Sequence, residues 1–144
     1  MRRQKEKVMP CKKALLFLGH GSRAREANEA MYGVIDLVRE ATDFDIVEAG
    51  FLDLNPPSVT EAMATCVRQG ADRVLVMPYF LHLGMHVQRD LPRVIAELQA
   101  EHPQVEVVLG RHIGFHPKLA EIFVERIQEM EQGLLVAARE DSLG

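Results

Sequence analysis

Short apolar runs alternate along this chain with longer segments whose apolar residues recur every three or four positions. The runs are Ala14 to Leu18 (A-L-L-F-L), Asp45 to Leu52, Ala71 to Met77 and Val105 to Leu109. Near-continuous apolar stretches of this length suit strands buried on both faces. Between them, Arg23 to about Thr42 places Ala27, Ala30, Met31, Val34, Ile35 and Val38 on one helical face. Ser22 stands where it can cap that helix. A second helix is predicted to begin at Pro57 or Ser58 and to end near Gly70. A third carries Val87, Leu91, Val94, Ile95 and Leu98 and stops before His102-Pro103. Pro117 occupies a first helical position, and the last helix runs from there to about Met130.

The order β-α-β-α-β-α-β-α calls for a parallel sheet with helices on both faces. The expectation is an α/β chain: a single-domain three-layer sandwich on a four-stranded parallel sheet of flavodoxin-like topology. Its domain is expected over residues 13–130. Residues 1–12 are a polar extension, expected to fray, and 131–144 a tail. No half of the chain is duplicated and no segment is of low complexity.

Composition narrows the function classes. With 144 residues, 47% apolar and 26% charged, the chain can bury a real core and has ordinary globular content. No apolar stretch approaches the ~20 residues of a membrane helix. The basic start M-R-R-Q-K-E-K is not followed by a signal-type apolar segment, so a cytoplasmic protein is expected. Trp is absent, eight residues are aromatic (6 Phe, 2 Tyr), and the net charge is −4, which speaks against a nucleic-acid binder. An anionic small molecule responds to local charge and is not excluded. Cys11 and Cys66 share no motif and are expected as packing residues, and the methionines as core filler.

The stretch Val74 to Pro92 organises the rest. Pro78 is expected to end its strand, because proline cannot donate a ladder hydrogen bond. A loop then carries Tyr79, His82, Gly84 and His86 up to the third helix. In a parallel sheet the residues beyond every strand's C-terminus share one edge, where ligands bind. That edge would collect His20, Ser22 and Arg23; Asp53 and Asn55; Tyr79, His82 and His86; and Arg111 and His112. Histidines, a carboxylate and cations on one rim suit a metal and anion site. Each position also has a purely structural reading. His20, between Gly19 and Gly21, could serve as a turn residue. His86 could be a polar residue near a helix start and His82 a solvated loop residue. Asp53 and His116 could be helix caps. Gly19-His20-Gly21-Ser22 could hold a phosphate at a helix N-terminus, although it lacks the P-loop lysine and the dinucleotide-binding spacing.

Three segments resemble one family. L-F-L-G-H-G-S-R after the first strand, F-L-D-L-N-P-P-S-V after the second and M-P-Y-F-L-H-L-G-M-H-V-Q-R-D-L-P after the third are similar to the small CbiX-type sirohydrochlorin chelatases. The resemblance covers roughly residues 13–130, and the third motif is the most specific. It implies a class II chelatase that inserts divalent metal, Co2+ or alternatively Fe2+ or Ni2+, into sirohydrochlorin. The metal would be a substrate, with no organic cofactor. The family's motif histidines match His20 and His86 as metal ligands, with one of them as pyrrole-proton acceptor. Asp53 stands where the family usually has Glu, one methylene shorter; it and His82 are expected to assist. Neutral imidazole suits these ions and can accept a proton near neutral pH. Ser22, Arg23, Tyr79 and Arg111 are expected at the polyanionic tetrapyrrole, with Arg25 and Arg89 as further candidate clamps. The short members of the family act as homodimers.

Two other functions compete. One is phosphoryl transfer with His20 as nucleophile and Arg23 as clamp, which leaves the third motif unexplained. The other is a non-catalytic metal carrier using His20, His82 and His86.

Overall fold

Lys13–Gly19 forms β1, the strand on which the sheet is built. Its residues are buried from Ala14 onward because both faces are covered. Ala14, Leu16 and Leu18 join one core cluster, Leu15 and Phe17 the other, as the two-residue side-chain period of a strand requires. The remaining strands of the computed structural model, which describes residues 11–133, are β2 (Ile46–Phe51), β3 (Arg73–Pro78) and β4 (Glu106–Leu109). All pair in parallel in the order β2-β1-β3-β4. The helices are α1 (Arg25–Ala41), α2 (Val59–Arg68), α3 (Met85–Glu101) and α4 (Pro117–Glu131).

Packing divides the chain into a unit ending at Ile113 and a second beginning at Gly114, a boundary inside the residue range expected as one domain. In the first unit, α2 and α3 cover one sheet face through Val59, Ala62, Met63, Cys66, Leu91 and Leu98. Helix α1 lies on the other face through Met31 and Ile35. This is the three-layer α/β arrangement expected from the pattern. Each fully buried large apolar side chain contributes about 1.5–3 kcal/mol. Along the α1 face a cavity of about 540 Å³ runs over β1, β3 and β4, lined by Leu15, Leu75, Met77, Val108 and others. The second unit carries α4, with Pro117 at its start. There His116 Nδ1 accepts a bond from the Lys118 N–H at 3.1 Å, the capping role open to it from sequence.

Several expectations change in detail. Pro78 is the last residue of β3, paired opposite Leu18, rather than the residue beyond it. The next bond to β1 comes from the Tyr79 N–H to Leu18 O at 2.8 Å, so the missing proline donor breaks nothing there. Ser22 does not cap α1. The N-cap is Ala24, with no side-chain cap bond, and Ser22 Oγ instead accepts the Ala24 N–H at 3.0 Å. Helix α3 starts at Met85 and runs through Pro92, held to the sheet by Leu91 and Leu98. Lys12 is not frayed: its N–H donates to Asp72 Oδ2 at 3.0 Å and its carbonyl accepts from Asp72 N–H at 2.8 Å. The rest of the expected N-terminal extension, residues 1–10, and most of the expected tail, 134–144, lie outside the described residues. Met31 and Met63 are core residues, but Met85 and Met130 are exposed.

Ser58 caps α2 with a capping box. The Glu61 N–H donates to Ser58 Oγ at 3.1 Å and the Ser58 N–H to Glu61 Oε1 at 2.8 Å. Ser58→Ala is expected to destabilise the fold by about 1 kcal/mol, read from urea unfolding. The cysteines part company: Cys66 is buried, whereas Cys11 is exposed rather than packed. Burial, with a smaller contribution from the nearby Glu48 charge, pushes the Cys66 thiol up to about 12. Because the folded value lies above the ordinary value of 9.0, this contribution is intact below pH 9 and is lost as pH rises toward 12. At pH 8, a thiol reagent is therefore expected to modify Cys11 alone in the native protein and both cysteines in denaturant. Cys66→Ala should flatten the alkaline fall in stability.

Candidate functional site

Strands β1 and β3 are neighbours, with Leu18 opposite Pro78. The loops that leave them therefore emerge side by side at the C-terminal edge of the sheet, with the loop after β2 on the far side of β1. That is where ligands bind in parallel α/β sheets.

The loop after β1 carries His20, whose side chain is exposed. It is fastened to the loop after β2 by a series of bonds. The Leu52 N–H donates to Gly19 O at 2.9 Å and the Asp53 N–H to His20 O at 3.0 Å. The Ser22 N–H donates to Asn55 Oδ1 at 2.9 Å, and Asn28 Nδ2 donates to Ser22 O at 2.8 Å. Gly21 makes this possible. Its φ of +98° is a glycine conformation, and a Cβ there would lie 1.9 Å from Asp53 O and 2.7 Å from Asn55 Oδ1. Asp53 is exposed, and its Oδ1 accepts the Leu54 N–H at 2.7 Å. It does not cap α2, whose cap is Ser58.

The loop after β3 carries exposed His82 and leads to Gly84, the N-cap of α3, which has no side-chain cap bond. His86 is not a loop residue but the second residue of α3, exposed in its first turn beside Met85. Its direction is thus set by the helix backbone. The loop after β4 is tied to its neighbours by Gly110 N–H to Val76 O at 2.8 Å and Ile113 N–H to Phe80 O at 3.0 Å. Exposed Arg111 and half-buried Tyr79 both line the end of the α1-face cavity. Arg25 is paired with Glu29 at 2.8 Å. Arg23, Arg89 and Arg111 have no carboxylate partner among the described residues.

The backbone thus brings His20, Asp53 and Ser22 into adjoining, bonded loops, and sets the His82–His86 segment beside them. Among the described residues no three His, Cys, Asp or Glu side chains are drawn together closely enough to hold an ion. No helix among them is long and apolar enough to cross a membrane. Two features escaped the sequence reading. One is the amide pair Asn28 and Asn55; the second was placed on the rim but given no role, since a side-chain bond to Ser22 leaves no periodic signal. The other is a set of exposed apolar side chains at the sheet edge: Leu54, Leu81 and Ile113 on loops and Met85 at the start of α3.

Known proteins resemble this chain in sequence and fold. A curated sirohydrochlorin cobaltochelatase of Priestia megaterium is 34% identical over 83% of this chain and 39% of its own length. That of Methanocaldococcus jannaschii is 36% identical over 78% of this chain and 96% of its own. The chain spans only 39–51% of several longer relatives, a chloroplastic sirohydrochlorin ferrochelatase of Arabidopsis thaliana among them. Among solved structures, the sirohydrochlorin chelatase SirB of Bacillus subtilis in complex with cobalt superposes with a TM-score of 0.76. It is 27% identical and covers 82% of this chain and 50% of that one. A CbiX protein from Marinobacter aquaeolei gives a TM-score of 0.71 at 26% identity, covering 83% of this chain and 98% of that one. The CbiX family profile matches residues 14–130, and the chain belongs to the CbiX family.

Proposed function

We propose that this protein is a chelatase that inserts a divalent metal into sirohydrochlorin, with Co2+ as the first candidate and Fe2+ or Ni2+ as the others. The observation that carries the reading is the placement of exposed His20 and His86 on segments leaving adjacent parallel strands at the ligand-binding edge. Membership of the CbiX family and similarity to cobalto- and ferrochelatases support it.

In this reading His20 and His86 hold the incoming ion as neutral imidazoles. A site with so few protein ligands leaves coordination positions open for pyrrole nitrogens, so the ion passes to the better chelator. Two pyrrole N–H protons must leave as the metal enters; one imidazole accepts one of them as it lets go of the ion, and the other passes to solvent water. Asp53, in the loop bonded to His20, balances the ion's charge, and His82 assists from the loop after β3. Arg23 and Arg111 receive substrate carboxylates, for which a planar guanidinium is suited, with Ser22 and Tyr79 beside them. The exposed Leu54, Leu81 and Met85 offer apolar area to the flat face of the macrocycle. The protein acts as a homodimer. The working compartment is the cytoplasm.

The test is anaerobic incubation of the protein with Co2+ and sirohydrochlorin, followed by the macrocycle's absorption spectrum. Conversion to the metallated spectrum faster than in protein-free buffer is expected. Tight Co2+ binding without that conversion would identify a carrier instead.

A further inference from the structure

Asn55 is a half-buried residue of the loop after β2 whose side chain bonds to the loop after β1. Its Oδ1 accepts the Ser22 N–H at 2.9 Å, and its Nδ2 donates to Pro56 O at 3.3 Å. Its own N–H donates to Asp53 O at 2.8 Å. The amide oxygen fills the space that Gly21 leaves empty, 2.7 Å from where a Cβ would stand. The other backbone group of Ser22 is held as well, its carbonyl accepting from Asn28 Nδ2 at 2.8 Å. Ser22, the residue that follows the His20–Gly21 pair, is thus held at both its N–H and its carbonyl, by Asn55 of the loop after β2 and by Asn28 of α1.

This grip has a consequence for His20. The backbone on its N-terminal side is fixed by β1, and its own carbonyl by the Asp53 N–H. Between that carbonyl and Arg23 the chain passes through a glycine at positive φ, where backbone freedom is greatest. The backbone bonds from the Leu52 and Asp53 N–H groups fasten Gly19 and His20 to the loop after β2, but Ser22 is tied to that loop by Asn55 and to α1 by Asn28. A carboxylate at position 55 could still accept from Ser22. It could not donate to Pro56 O. An aliphatic side chain could do neither.

We infer that Asn55, seconded by Asn28, is a positioning residue for the proposed metal site: it locks the His20 loop to the Asp53 loop, so that imidazole and carboxylate address the same ion. The inference rests on the proposed function for its consequence in catalysis, but its structural content stands apart. Supporting groups behind metal ligands of this kind change affinity or activity by roughly 10–100-fold.

The test compares Asn55→Leu, Asn55→Asp and Asn28→Ala with the parent. Histidine ring proton–carbon NMR needs neither metal nor substrate. The His20 resonance, assigned through His20→Gln, is expected to shift or broaden in Asn55→Leu, to return toward the parent position in Asn55→Asp, and to leave His102 unmoved. Insertion kinetics should then show the apparent KM for Co2+ raised at least ~10-fold in Asn55→Leu, the KM for sirohydrochlorin changed less than about twofold, and most of the loss rescued by Asn55→Asp. Should Asn55→Leu not fold, Asn28→Ala carries the same expectation. A His20 resonance unchanged in Asn55→Leu and Asn28→Ala, or equal rises in both KM values, would overturn the inference. Failure of the parent to insert metal would count against the proposed function alone, because the ring resonances decide the positioning role independently.

Discussion

His20→Ala and His86→Ala are each expected to lower the rate of Co2+ insertion at least ~100-fold, beyond the loss usual for supporting groups, while leaving thermal unfolding nearly unchanged. Both side chains are exposed at the sheet edge, and no core cluster includes them. Removing either therefore opens no cavity, and surface substitutions away from packed features move stability by roughly half a kcal/mol or less. The chemistry is another matter. Each imidazole would be one of a small set of ligands, and one of them also the proton acceptor. The double variant should be little worse than the single ones, because groups that act as a unit are not additive. Side-by-side insertion assays and calorimetry check both halves. Full activity in both single variants would remove the histidines from the mechanism.

Gly21→Ala is expected to be the most damaging single-methyl change at the site. Alanine at φ +98° carries backbone strain, and its Cβ would stand 1.9 Å from a backbone oxygen, Asp53 O, which no side-chain rotation can relieve. Strain of this kind costs about 1–3 kcal/mol and overpacking a similar ~1–3 kcal/mol. A loss of about 2–6 kcal/mol in urea unfolding follows if the fold holds the loops in place. If instead the loops part, the bonds from Asp53 N–H to His20 O and Ser22 N–H to Asn55 Oδ1 are lost. Metal insertion then falls at least ~10-fold, as for a lost supporting group. Either route separates Gly21→Ala from Gly33→Ala, a helix substitution that meets nothing within 4 Å and should be neutral or mildly stabilising.

Much of the fold was legible because its signal is periodic. The strands read as apolar runs since β1 is covered on both faces, and the helices as stripes since each buries one side. What was misread lies where tertiary contacts overrule local rules. Pro78 does end β3, but from inside it as the last residue rather than just beyond it, because its neighbour Tyr79 supplies the bond to Leu18. His86 belongs to α3 because Gly84 starts the helix without a capping side chain, the feature by which a sequence announces a helix start. The residues of the candidate site followed from topology once the strands were known. The role of Asn55, itself on the sheet edge, and the part played by Asn28 did not, for their bonds to Ser22 span 33 and 6 positions and obey no repeat. The exposed Leu54, Leu81 and Met85 were equally hidden, since sequence alone does not distinguish an apolar residue on the surface from one folded inward.

The account turns on one ion being shared by His20 and His86. An anomalous difference map recorded at the cobalt edge, from crystals of the protein soaked in Co2+, tests this most directly. The predicted result is a peak bonded to both imidazoles at about 2.0–2.1 Å, the distance of imidazole nitrogen from the comparable divalent zinc ion. A peak bound elsewhere, or the two rings too far apart to reach any common ion, would contradict it.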